Sequence, residues 1–185
     1  MKALFNLARR ARYSAIAMAA ASAMLAAGPL KADDAKGCKD LLWPVGKELA
    51  AFRQADLKTL QSGATQGAWA AGTAFILQLK PQDDVKLAVA PTGKEMDKAK
   101  APPLAGLITF EAPAKAGVFH VTLSSHAWIE VVQDGKALPA TAFTGANDCP
   151  VRKSVRFEIG KAPVTLQISN AETDAMKIAI VPAVD

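Results

Sequence analysis

From Thr73 to Val181 the chain repeatedly sets apolar residues at every second position of short runs, and this alternation restricts the fold more than any other feature. Successive side chains of a strand leave opposite faces, so a period of two is the mark of a half-buried strand. Thr73–Leu79 places Phe75, Leu77 and Leu79 on one face, and Val85–Val89 does the same with Val85, Leu87 and Val89. The pattern returns in Leu107–Glu111, Val118–Leu123, Ala127–Val132, Lys136–Leu138, Ser154–Ile159, Val164–Ser169 and Met176–Val181. Ser124-Ser125-His126 reads as a hairpin turn between two of these runs, and Asp134-Gly135 as a two-residue hairpin turn. Pro91–Pro103 and Pro139–Pro150 read as loops. No helix fits between the runs, which excludes a parallel α/β architecture. The expectation is a mainly β fold: an antiparallel, jelly-roll-like β-sandwich of about eight strands, preceded by one N-terminal helix.

That helix is expected over Leu41–Leu60, with Pro44 in its first turn and Val45, Leu49, Phe52 and Leu57 near helical spacing. Gln61–Gly72, which holds Trp69, reads as a connection. Residues 33–72 thus form an N-terminal helical segment and 73–185 a sandwich domain.

Residues 1–32 have the three-part order of a secretory signal peptide. Lys2, Arg9, Arg10 and Arg12 come first, an uncharged Ala-rich stretch runs from Tyr13 to Leu30, and small residues close it. Cleavage is expected after Ala32, with Ala27 as the second choice. A membrane anchor is the alternative reading, and Gly28-Pro29 argues against it. Arg9-Arg10 leaves the twin-arginine route open beside the general one. The expected location is the periplasm, with no transmembrane segment after cleavage.

Removing the leader changes the electrostatics. The chain holds 22 basic and 17 acidic residues, and five of the basic ones with no acid lie in residues 1–32, so the remainder balances at 17 of each. The basic excess belongs to the leader, which argues against nucleic acid as a partner. Cys38 and Cys149 are the two cysteines. In an oxidising compartment such a pair is expected as a disulfide, with a redox pair or a metal site as alternatives.

The chain has no Gly-rich phosphate loop, no G-x-S-x-G and no H-E-x-x-H, so no catalytic residue and no cofactor is assigned. His120 and His126 are placed at the ends of one expected hairpin, with Glu130 four residues past His126. They form the speculative metal set. Their order resembles the first motif of the cupins, metal-binding β-barrels, but not its spacing, and no later His exists. The ordinary reading puts His120 on an exposed strand face and His126 in a turn. Trp128 and Glu130 share a strand face, which binds a ligand if exposed and is structural if covered. Arg152 and Lys153, just after Cys149, are candidates to receive a carboxylate or phosphate. Trp128, Glu130, Arg152 and Lys153 are therefore the speculative ligand set, for an unidentified protein or glycan partner.

Phe110-Glu111-Ala112-Pro113, Ala116-Gly117-Val118-Phe119-His120-Val121-Thr122-Leu123 and Trp128-Ile129-Glu130-Val131-Val132-Gln133-Asp134-Gly135 together resemble small exported sandwiches of the pre-peptidase C-terminal type. Cys149-Pro150-Val151-Arg152-Lys153-Ser154-Val155-Arg156-Phe157 is similar to periplasmic proteins of proteobacteria with the same layout. The resemblance covers roughly residues 104–181. It implies a sandwich in the cell envelope and carries no catalytic residues.

Overall fold

The computed structural model describes residues 37–70, 72–92 and 102–183. The leader over 1–32 and most of the Pro91–Pro103 loop lie outside the described residues. The described residues are mainly β, with twelve strands in two sheets and one α-helix. The strands are β1 (Lys58–Gln61), β2 (Ala64–Gln66), β3 (Thr73–Gln78), β4 (Lys80–Pro81), β5 (Leu104–Phe110) and β6 (Gly117–Leu123). They continue as β7 (Trp128–Gln133), β8 (Lys136–Ala137), β9 (Ala140–Gly145), β10 (Lys153–Ile159), β11 (Val164–Ala171) and β12 (Ala175–Pro182), and the helix α1 is Gly46–Phe52. The first sheet has the order β1-β3-β12-β6-β10-β9; the second has the order β2-β5-β11-β7-β8, with β4 also on β5.

The alternation explains how the two sheets meet. Phe75, Leu77, Val121, Leu123, Phe157 and Ile178 from the first sheet share one buried cluster with Ile108, Phe110, Ile129, Val131, Leu166 and Ile168 from the second. Burial of each such side chain contributes about 1.5–3 kcal/mol. The face-to-face arrangement is sandwich-like. Asp134 (φ 50°) and Gly135 (φ 72°) make the tight turn between β7 and β8, where both central residues need a left-handed backbone.

Several expectations are corrected. Helix α1 covers seven residues rather than Leu41–Leu60, because Leu60 turns into the main core and Lys58–Gln61 pairs with β3. That pairing is parallel, as is β2 with β5, so the sheets are not purely antiparallel. Residues 61–72 are more than a connection, since Gly63 (φ 92°) turns the chain from β1 into β2. Pro139–Pro150 contains β9, whose mixed small and polar residues hide the period.

Val85–Val89 is not a strand. Its backbone bonds to one side chain, with Ala88 N–H and Val89 N–H both donating to Gln167 Oε1 at 2.7 and 3.2 Å. Ser124-Ser125-His126 is not a hairpin turn either. It carries the chain from β6 in the first sheet to β7 in the second. Both flanking runs are apolar and strand-like, and local pattern does not record which partner each chooses.

A disulfide joins Cys38 to Cys149 across 111 positions of sequence. It fastens the N-terminal segment over the outer face of the first sheet. There Cys38, Val45, Leu49, Ala51, Phe52, Cys149, Val151 and Ala179 form a second buried cluster. The first sheet is consequently covered on both faces. A Cβ on Gly37 would collide with the Asp148 backbone, so the approach of the two chains beside the disulfide requires glycine there.

Candidate functional site

Three of the four residues of the speculative ligand set converge on one cleft. Trp128 opens β7, and Arg152 and Lys153 lead into β10 on the other sheet. Together with His126, Ile129, Ala140, Phe143, Thr144, Gly145 and Val155 they line an open space of about 440 Å³. Strand geometry accounts for the placement. Lys153, Val155 and Phe157 alternate along β10, and the core membership of Val155 and Phe157 shows that this row faces the second sheet. Lys153 sits at the open end of that row. Phe143 is registered with Val155 and leaves β9 on the same side. Near this edge the second sheet does not cover it, and Phe143 stays 70% exposed.

The cleft has apolar walls and a basic rim. Lys153 Nζ lies 4.3 Å from the centroid of the Trp128 ring and donates to Ala127 O at 3.3 Å. A cation over an indole face is an attractive contact that also fixes the ring. Arg152 donates one Nη1–H to Ala146 O at 3.1 Å, which anchors the guanidinium beside the opening. His126 comes from the crossover between the sheets. Among the described residues that line the cleft no carboxylate occurs.

Glu130 is elsewhere. It is buried on the outer face of the second sheet, beneath Val85–Thr92. Its carboxylate accepts Thr92 N–H at 3.0 Å and Gln167 Nε2–H at 3.1 Å. Burial raises its pKa above the ordinary carboxylate value, against lowering by the Thr92 N–H, the Gln167 amide, the Thr92 hydroxyl and the charge of Lys153. The covered face makes Glu130 a structural residue. Trp128 lies at its border, half-buried, donating from Nε1 to Thr92 Oγ1 at 3.2 Å.

The speculative metal set does not assemble. His120 lies in β6 of the first sheet and Glu130 in β7 of the second, while His126 stands at the cleft. Among the described residues no group of three or more His, Cys, Asp and Glu side chains is placed to hold a metal ion. His120 is also not on an exposed face. The N-terminal segment covers it: Trp43 stacks on its ring at 4.6 Å, and Glu48 Oε1 is hydrogen-bonded to Nδ1 at 3.2 Å. Both His120 and Glu48 are buried.

Phe143 and Gln167 escaped the reading of the sequence. Phe143 sits in a stretch with no clear period, and a lone phenylalanine among Ala and Thr signals nothing until its exposure is known. Gln167 occupies an outward position of a regular strand, where glutamine is ordinary. Comparison with protein-family models, with curated proteins and with solved structures finds no match for this chain.

Proposed function

We propose that the chain is an exported, non-catalytic periplasmic β-sandwich, jelly-roll-like and of the pre-peptidase C-terminal type, that binds a protein, glycan or other envelope component through the Trp128 cleft. The observation that carries this reading is the convergence of Trp128, Phe143, Arg152 and Lys153 from two sheets on one open space. The Cys38–Cys149 disulfide supports an oxidising compartment, where such bonds persist. The three-part order of residues 1–32 supports removal of the leader.

The test has two parts. Intact-mass measurement of the protein recovered from the periplasm should give a chain that starts at Asp33 or Gly28; an unprocessed chain contradicts export by this route. Immobilised protein is then incubated with envelope fractions beside a Trp128→Ala, Phe143→Ser variant of unchanged fold. The expected result is a component retained by the parent and lost with the variant. Equal retention by both, or none by either, contradicts the cleft as the binding site.

A further inference from the structure

The outer face of the second sheet inverts the usual order of burial. Glu130, Gln167 and Ser169 are polar and lie buried on it. The segment over Glu130 and Gln167, Val85–Thr92, has no buried residue: Val85, Leu87, Val89 and Pro91 are half-buried, and Lys86, Ala88, Ala90 and Thr92 are exposed. A cover with so little buried apolar surface belongs to the low end of local stability, where segments that lift are found.

The segment is also held in an unusual way. Among the described residues, no main-chain group from Lys86 to Thr92 bonds to another main chain. Side chains of the sheet read it instead. Gln167 Oε1 accepts Ala88 N–H and Val89 N–H, and Gln167 Nε2–H donates to Val89 O at 3.0 Å. Glu130 Oε1 accepts Thr92 N–H, and Trp128 Nε1–H donates to Thr92 Oγ1. Four of these five bonds engage main-chain groups, which any extended peptide carries. A carboxamide offers both a donor and an acceptor, the complement of a peptide group.

The fit leaves one group unserved. Ser169 stands opposite Trp128, one outward position along β11 from Gln167, and its buried Oγ has no hydrogen-bond partner among the described residues. A buried polar group without a partner costs free energy that a better-matched occupant recovers.

We propose that the row Trp128, Glu130, Gln167 and Ser169 is a main-chain-reading site for an extended peptide segment of a partner, and that Val85–Thr92 is its built-in occupant. While the segment is seated, Glu130 and Gln167 act structurally; when it lifts, they offer the same donor and acceptors to the incoming main chain. The incoming peptide sets alternate apolar side chains where Val85, Leu87, Val89 and Pro91 rest and a polar one at Ser169. The tethered segment competes at an effective concentration on the order of millimolar, which closes the site to weak peptides. The row shares only Trp128 with the cleft and does not depend on what the cleft binds.

The probe is the acetylated, amidated peptide Val-Lys-Leu-Ala-Val-Ala-Pro-Thr, beside the same peptide N-methylated at its fourth and fifth residues, the counterparts of Ala88 and Val89. Each is titrated into the ¹⁵N-labelled protein and into its Leu87→Ser, Val89→Ser variant, which loosens the segment and leaves the row intact. NMR follows the Gln167 side-chain amide and the main-chain amides of β7 and β11. The plain peptide should bind the variant at least about tenfold more tightly than the parent, because the built-in competitor is weakened. The methylated peptide should not bind, and adding Gln167→Leu to the variant should abolish binding of the plain one. Equal binding of both peptides shows apolar adhesion without main-chain reading and overturns the proposal. A folded variant that takes neither peptide overturns it as well. So does a variant that loses the second sheet, because the segment is then a fixed part of the fold. Uptake of chitotriose in place of the peptide also overturns it, since the row then serves a glycan.

Discussion

Glu130 and Gln167 stand directly opposite each other in the register of β7 and β11, and the two side chains together fasten Val85–Thr92 to the second sheet. Gln167 alone receives Ala88 N–H and Val89 N–H and donates to Val89 O at 3.0 Å. Two side chains thus do for this segment what a neighbouring strand does elsewhere.

Gln167→Leu should release the segment. Three backbone groups lose their partner, and at about 1 kcal/mol for each net hydrogen bond the loss is roughly 2–3 kcal/mol. Urea unfolding measures it, and amide exchange should accelerate first at Ala88 and Val89. A loss under about 0.5 kcal/mol, at the floor of one net hydrogen bond, would show that other contacts hold the segment.

Glu130 should make stability depend on pH in a direction uncommon for a carboxylate. Its pKa in the folded state is raised, so the native protein binds this proton more tightly than the unfolded chain. The contribution is full below the ordinary carboxylate value of about 4.3 and is lost as pH rises through the raised folded value. Glu130→Gln keeps an acceptor for Thr92 N–H and removes the titration. Midpoint temperatures of the two proteins, compared from pH 4 upward, should therefore diverge in favour of the glutamine variant. Parallel curves would contradict the assignment.

His120→Ala should be costly, because it leaves the buried Glu48 carboxylate without its imidazole and strips the stacked partner from Trp43. Leaving a buried polar group without its hydrogen-bond partner typically costs about 1–3 kcal/mol, and the lost ring contact adds to it. The double variant Glu48→Leu, His120→Phe should recover most of that loss, since it removes both polar groups and keeps a ring under Trp43. Chemical denaturation of the three proteins tests the cycle, and a double variant as weak as the single one argues against this account.

Replacing both cysteines with serine should loosen the N-terminal segment before the sheets. The chain-entropy model credits a loop of 111 residues with roughly 4–5 kcal/mol. Unfolding measurements give the total, and amide exchange should rise in Gly46–Phe52 well before it rises in β11. Uniform acceleration throughout would mean that the segment and the sheets open as one unit.

The β character of the chain was legible because Phe75-Leu77, Val121-Leu123, Val155-Phe157 and Ile178-Ile180 alternate without interruption, and a two-faced sheet imposes that alternation. The Asp134-Gly135 turn was legible because few residues tolerate its backbone. Sheet membership was not. β6 and β7 adjoin in sequence, yet they lie in different sheets, and pairing is decided by shapes far along the chain. The faces were equally hidden. His120 reads as outward and polar from its neighbours Phe119 and Val121, and only the segment tied down by Cys38 converts that face into interior. The cleft was half legible: a tryptophan and a basic pair stand out, whereas Phe143 matters because of the absence of a covering strand.

The crossover at Ser124-Ser125-His126 has a kinetic consequence. From β5 onward the chain passes from the second sheet to the first, back, and across again, so neither sheet is complete until β11 and β12 have arrived. The hairpins β7–β8 and β9–β10 are the antiparallel neighbours that local closure alone can form in this region. Most of the core waits on loop closures over long stretches, whose entropy is lost before any packing compensates it. Refolding with the disulfide intact should accordingly fall in the millisecond-to-second range of non-local β topologies, and unfinished molecules will present β9 and Phe143 to their surroundings throughout that interval.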